Sequence, residues 1–513
     1  MLKNLHDSLL DYDLPMLRAV ARARGHELHE PRQPEAAKEL SARLLTSESV
    51  GWALSRLDER GREALDALLR AGGEMKLHIF THHYGPVRAV GPGRLEREKV
   101  WMEPETPAEQ LWFLGLMFRT FVEVGGGYRA ESVYVPSDVL PLLPSVAVVR
   151  PTFVVSPVEA PAVIHAATTA LVDALFALLV NLQIHPLPLE RGELPRSARR
   201  RMHRHLNLPF ATNRSDPADE KPSSYVQFLY HLSRGTKLAQ ETDRRLKPNP
   251  DEARRWLKWR REQQLFFLQR FWASDPTWNE LRHIAKLELE DTGWTNDTVM
   301  ARQAILGHLK ACPPGTWLAL ESFIAAVKAV DPDFARPDGD YRSWYIRDAQ
   351  TGDYLMDFAC WDYVERELIV HLLSAPLHWL GAVDLGFPGE DAAEPEAFRL
   401  NPNGLALLGL ADPPSVGEAA PPSLLVRDDF TIHLDEGGRL FEQFQLHRFA
   451  QPKEGGQGRG LVFQITRSSL ATAHQQGISP KMILSLLQRL SPTPLPTRVL
   501  KTLRHWHPST PHP

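Results

Sequence analysis

SESVGWALSRLDERGREALDALLRAGGEMKLHIFTHHYG, residues 47–85, carries two short apolar periodicities in succession. Val50, Leu54 and Leu57 fall on one helical face, then Leu65, Leu68 and Leu69 on a second, and Gly72-Gly73 closes the second helix as a C-terminal stop. A third short helix is expected near Lys76 to Tyr84. Downstream, GPGRLEREKVW (91–101) lies where a wing or its base should be, and EQLWFLGLMFRTF (109–121) reads as a helix rich in large apolar residues. YRAESVYVP (128–136) then alternates as a strand does. Three helices followed by a β-ribbon make the winged-helix pattern.

Working outward, the 513 residues allow about three to five domains. Residues 1–150 form the N-terminal helices and the first winged helix. Residues 151–250 follow as a helical, winged-helix-like block, opening on the apolar helix within Ala162–Pro186 and containing a basic helix. Residues 251–412 form a third such region, in which Trp256, Trp259 and Gln263 recur at helical spacing and FRLNPNGLALLGL (398–410) resembles the last strand and turn of a winged helix. A Pro- and Ala-rich linker over 413–423 leads to a small α+β domain over 424–508 and a tail over 509–513. The fold class expected is therefore mainly α with small β-ribbons.

Composition narrows function by exclusion. Apolar residues are 43% and charged residues 24%, the make-up of a soluble globular protein, and two cysteines cannot build a disulfide framework or a cysteine-based zinc site. The N-terminus has no basic region followed by an apolar run, so a cytoplasmic, non-membrane protein is expected. The apolar run at 162–186 is interrupted by Asp173 and His165 and reads as a buried helix.

The chemistry-bearing motifs are also missing. No Gly-Lys-Ser/Thr occurs, so the phosphate-cradling loop of a motor ATPase is absent; GxSxG and HExxH are absent too. DEAR at 251–254 follows Pro-Asn-Pro and opens a helix, where a magnesium-binding acidic box would end a strand. His78 and His82 stand four apart with His83 adjacent, a metal-compatible spacing that no nearby carboxylate completes. The acidic run DPDFARPDGDY (331–341) reads as a proline-rich loop. No catalytic residue, cofactor or metal is expected.

Positive charge is concentrated locally in a chain whose net charge is −4. Between Arg191 and Arg214 seven arginines face Glu193 alone, a net +6. Such a run can track a phosphate backbone, releasing counterions as it binds. An exposed helix packed on an acidic neighbour is the other reading, with 384–398 as the acidic partner. A second concentration runs from Arg244 to Arg261 with Trp256 and Trp259 interleaved, and here the tryptophans are expected to face the core.

The last block carries a family resemblance. LLVRDDFTIHL (424–434), RLFEQFQLHRFAQ (439–451) and LVFQITRSSLATAHQQGISPKMILSLLQRLSPTPLPTRVLKTLRHW (461–506) resemble the domain found N-terminal to the motor of XPB-type helicases and in bacterial helicase-associated proteins. The most specific piece is a strand ending in Thr466-Arg467, a helix, Gly477-Ile478-Ser479, an apolar helix, and Pro494-Leu495-Pro496 before the final helix. Upstream strings, GPGRLEREKVW and WDYVERELIVHLLSAPLHWLG (361–381) among them, are similar to multi-winged-helix bacterial proteins that carry this domain without a motor. The resemblance implies a non-enzymatic DNA-binding or DNA-repair accessory factor. Arg199, Arg200, Arg201 and Arg204 would meet phosphates, Arg94 and Lys99 would assist from the first wing, and Lys76, Thr81 and His82 would face a groove. Arg467, Lys481 and Arg498 are backbone-contact candidates in the last domain. The partner expected is DNA, alongside a helicase or repair nuclease; the alternative is a protein scaffold that docks a separately encoded helicase.

Overall fold

The computed structural model describes residues 2–125, 127–190, 194–195, 197, 224–435, 437–453 and 460–506. The chain is mixed α+β, about 47% helix and 14% strand, and among the described residues no sheet exceeds four strands. No described helix is long and apolar enough to cross a membrane. The helix within the apolar run, Ala170–Ile184, buries Leu171, Leu175, Leu178 and Leu182. Two compact units interleave along the sequence. The first is Met1–Val155, Glu280–Ile305 and Glu321–Ile369; the second is Ser156–Asn279, Leu306–Leu320 and Val370–Pro513. The stretch 251–412 thus divides between them.

In the first unit, helices Ser47–Arg56 and Glu59–Arg70 follow the apolar faces read from sequence, capped by Thr46 and Asp58, whose side chains accept from the backbone N–H three residues on. Gly72 and Gly73 both take φ +87°, the left-handed region, and the Gly73 N–H returns to Leu68 O at 2.9 Å. Strand Glu74–Lys76 pairs antiparallel with Tyr128–Tyr134, which pairs with Phe118–Gly125, so the third strand in sequence lies centrally.

Two local expectations are corrected here. GPGRLEREKVW is not a wing but the helix Pro92–Glu98, with Pro92 in its first turn, where a missing N–H costs nothing, and Arg94 paired to Glu98 at 2.8 Å. The helix expected over 109–121 stops early, at Pro107–Phe113. Gly115 at φ +63° ends it, and Phe118 begins a strand.

The acidic stretch 331–341, read as a loop, is irregular, buried over 332–336 and at Tyr341, and exposed at Asp338 and Asp340. Asp333, Phe334, Ala335, Arg336 and Tyr341 all have under 5% exposure. Trp361 Nε1 donates to Pro332 O at 2.8 Å, and Arg336 Nε meets Glu365 Oε1 at 2.6 Å with both side chains buried. The Arg336 guanidinium also lies 4.0 Å from the Trp344 ring centroid.

In the second unit, strands Leu187–Pro188, Ala239–Thr242 and Arg245–Pro248 form a sheet in which the last again lies between the other two. A four-stranded sheet repeats the order: Ala397–Leu400 lies between Leu318–Ala319 and Val383–Phe387, with Val163–His165 added at the edge. The 384–398 stretch is therefore a β-hairpin whose connecting loop carries Glu390, Asp391, Glu394 and Glu396. Asp384 is held by Arg399 at 2.7 Å and accepts from Ala167 N at 2.9 Å.

The C-terminal block has the sheet order Leu424–Val426, Thr431–Leu434, Leu461–Gln464, Gln451–Pro452. Helix Leu440–Leu446 lies within it in sequence, and Arg467–Gln475, Pro480–Leu490 and Thr497–Arg504 follow. Ser479 caps the middle of these three, with Pro480 first in the helix. One shared core, including Ile432, Phe463, Leu487 and Val499, holds strands and helices together.

The compositional linker is a pinned strap. Ala419 N donates to Lys258 O at 2.9 Å and Gly417 N to Gln263 Oε1 at 3.0 Å, while Glu418 bridges Lys258 at 3.1 Å and Arg439 at 2.8 Å.

Candidate nucleic-acid interface

The expected DNA-contacting residues separate into groups. Arg199, Arg200, Arg201 and Arg204 lie outside the described residues. Lys76 ends the first strand, and its ammonium is paired with the buried Asp333 carboxylate. The same carboxylate accepts from Tyr341 Oη at 2.8 Å and lies 2.9 Å from His78 Nε2. Burial pushes the Asp333 carboxyl up, but His78 and Lys76 outweigh it and hold it below the ordinary range. Thr81 is half-buried and donates to His78 O at 3.3 Å. His82 is exposed but its ring lies 5.4 Å from Phe358. This face of helix Leu77–Tyr84 is thus engaged inside its own unit. Arg94 and Lys99 belong to the 92–98 helix and its C-cap, not to a ribbon.

In the last block, Arg467 and Arg498 are exposed at the starts of their helices, with Arg498 5.9 Å from the Phe430 ring centroid. Lys481 alone of the three lines a cleft of about 800 Å³. That cleft runs between helix Pro250–Lys258 and helices Leu440–Leu446 and Pro480–Leu490. Its charged lining is Arg254, Arg448, Lys481 and Arg489 against Asp251, a net +3.

The elements explain why these cations gather. Asn249 caps the 250–258 helix, accepting from the N–H groups of Asp251 and Glu252, and the helix buries Trp256 while Arg254 and Arg255 stay exposed. Trp256 and Gln264 exchange side-chain to backbone hydrogen bonds at 3.4 and 2.8 Å, locking the next helix, Arg261–Ser274, to it. Phe441 lies beneath two cations, 5.7 Å from Arg254 and 6.0 Å from Lys258. Arg448 donates to Gln445 Oε1 at 2.9 Å, while its Nε is buried without a partner. Burial lowers the Arg448 pKa from its usual value. Arg489 lies 3.9 Å from Glu442, a carboxylate already taken in both oxygens by Arg439 at 2.8 Å.

The rim at Pro248–Asp251 continues directly from a basic hairpin. Asp243 and Arg244 turn it with φ 53° and 56°, the geometry of a two-residue hairpin loop. Arg244 and Arg245 are exposed, and Lys247 pairs with Asp243 at 3.0 Å. Neither family models nor curated protein sequences match the chain.

Chemically, the cleft offers four cations against one acid and an aromatic floor, the ingredients for holding phosphates, while the hairpin sets Arg244, Arg245 and Lys247 against Glu241 and Asp243. Among the described residues, no group of three or more His, Cys, Asp or Glu stands ready to hold a metal ion. Sequence reasoning did not single out Arg448 and Arg489. Arg448 stands alone in the turn after helix Leu440–Leu446 and Arg489 near the end of helix Pro480–Leu490, and only the tertiary fold places them on one cleft with Arg254.

Proposed function

We propose that the protein is a non-catalytic, DNA-binding, helicase-associated accessory factor built from three winged helices and a C-terminal domain like that N-terminal to XPB-type motors. The winged-helix reading is supported by a sheet order that recurs three times with the last strand central. The XPB-like reading is supported by the succession of strands, helix, strands and three helices over 424–504. The observation that carries DNA binding is the cleft whose rim sets four cations against one acid, reached directly from the Arg244 hairpin. Arg199, Arg200, Arg201 and Arg204 supply further phosphate contacts on sequence grounds.

Fluorescence anisotropy with duplex, forked and single-stranded DNA at low and near-physiological salt tests this. Changing Arg254, Lys481 and Arg489 together to alanine should weaken binding and flatten the log–log salt dependence by roughly 3. Absence of binding to every DNA at low salt refutes it. A second reading, a scaffold that docks a separately encoded helicase, is favoured by the engagement of Lys76 and His78 with Asp333, which occupies the face of the 77–84 helix expected to meet a groove. Salt-insensitive pairing with a motor, without DNA binding, would select it.

A further inference from the structure

The first unit holds a cavity of about 380 Å³ that the DNA reading does not use. Arg22, Trp52, Arg56, Trp101, Met102 and Phe113 border it, and no acidic side chain does. The Arg22 guanidinium lies 5.8 Å from the Trp101 ring centroid, and that of Arg56 lies 5.8 Å from the Trp52 ring centroid. Among the described residues neither guanidinium has a carboxylate partner, whereas most arginines of this unit do. Trp52 is 41% exposed and Met102 68% exposed, leaving flat apolar surface open at the mouth.

These features ask for one kind of ligand. Two unneutralised guanidiniums favour a planar or tetrahedral oxyanion held by paired N–H donors. The Trp52 indole, open to solvent, favours a flat ring stacked upon it, while Trp101 is buried and forms the wall. An inorganic anion would leave the Trp52 ring uncovered, and an uncharged aromatic would leave the arginines unpaired. The volume falls within the range of small-ligand pockets. Gln110, the one side-chain amide at the wall, turns away from the ligand: its Nε2 donates to Asp58 at 2.8 Å, and its Oε1, without a hydrogen-bond partner, is buried against Gly61. Base identity is therefore read weakly.

We infer that this cavity binds a phosphorylated nucleoside, with the base stacked on the exposed ring of Trp52 and the phosphate on Arg22 and Arg56. The ligand is either a free nucleotide or the phosphorylated end of a DNA strand, which share this chemistry. The inference stands independently of the cleft in the second unit.

Isothermal titration of the full chain with dAMP, dTMP, deoxyadenosine and inorganic phosphate tests it, alongside a short oligothymidylate with and without a 5′-phosphate. The two nucleotides should bind within a factor of about three of one another, and deoxyadenosine and phosphate each about tenfold more weakly. Trp52→Ala and the double change Arg22→Ala/Arg56→Ala should each weaken dAMP binding about tenfold. All three side chains are exposed, and unchanged circular dichroism melts would verify that the fold survives. A phosphorylated oligonucleotide that outcompetes dAMP assigns the strand end; parity or weaker binding assigns the free nucleotide. The inference is overturned if no phosphorylated probe binds, if deoxyadenosine matches dAMP, or if the substitutions change nothing. Loss of duplex binding in the Arg254, Lys481 and Arg489 variant with dAMP binding intact keeps the two sites distinct.

Discussion

Replacing Asp333 with asparagine keeps the side chain's shape and removes its charge. In the wild type this carboxylate is 1% exposed and serves Lys76, His78 and Tyr341 together. Hydrogen bonds to charged groups contribute about 1.5–3 kcal/mol each, and stripping one member from a buried pair costs about 3–5 kcal/mol. Two features reduce that figure. The Tyr341 hydroxyl retains an acceptor in the amide oxygen, and the Lys76 side chain, 30% exposed, can turn its ammonium toward water. The expected loss at neutral pH is about 2 kcal/mol, which for a unit of this size lowers its melting transition by about 4–8 °C in scanning calorimetry. Because the folded carboxyl is held below its usual value of 3.8, its contribution is complete above that pH and fades as pH falls through the lower folded value. The gap between Asp333→Asn and wild type should therefore close only in strong acid. Coincident melts at pH 7 would refute the reasoning, and so would a gap that does not shrink on acidification.

Further expectations follow from the same kind of geometry. Arg336→Met leaves Glu365 buried without its partner and should cost about 3–5 kcal/mol, while the double change Arg336→Met/Glu365→Leu should recover most of it in chemical unfolding. Gly73→Ala places a Cβ 3.1 Å from Leu140 at φ +87° and should lower thermal stability by about 1–2 kcal/mol. Burial depresses the His447 pKa from 6.5 to about 4, so its contribution is complete above 6.5 and is lost as pH falls toward 4. Urea unfolding should show His447→Phe losing about 2 kcal/mol less than wild type between pH 7 and pH 5, with equal losses counting against the assignment.

Local signals in the sequence were legible where one residue type has one conformational use. Gly72-Gly73 and Ser479-Pro480 mark helix ends that the structure reproduces, and the strand and helix succession after Leu424 follows the apolar pattern. Gly115 and Pro92 carried equally local signals, a helix stop and a helix start, that the surrounding apolar residues and the Gly-Pro-Gly string obscured. What no local pattern encodes is partnership at long range. Asp333 looks like a loop acid until Lys76, 257 residues away, is placed against it. Arg254 and Arg489 line one cleft although their helices, 250–258 and 480–490, lie far apart in sequence.

The strap over 415–419 bears on modularity. A sequence rich in proline and alanine between two folded blocks invites excision, with the C-terminal block expressed alone from Leu424. Glu418 nonetheless neutralises both Lys258 and Arg439, and the strap's backbone closes an antiparallel bridge with Trp259. Cutting there strips Arg439 of one of its two carboxylates and bares the Phe441 face that Arg254 and Lys258 cover. A transplant of the C-terminal block that keeps these contacts begins before Pro250.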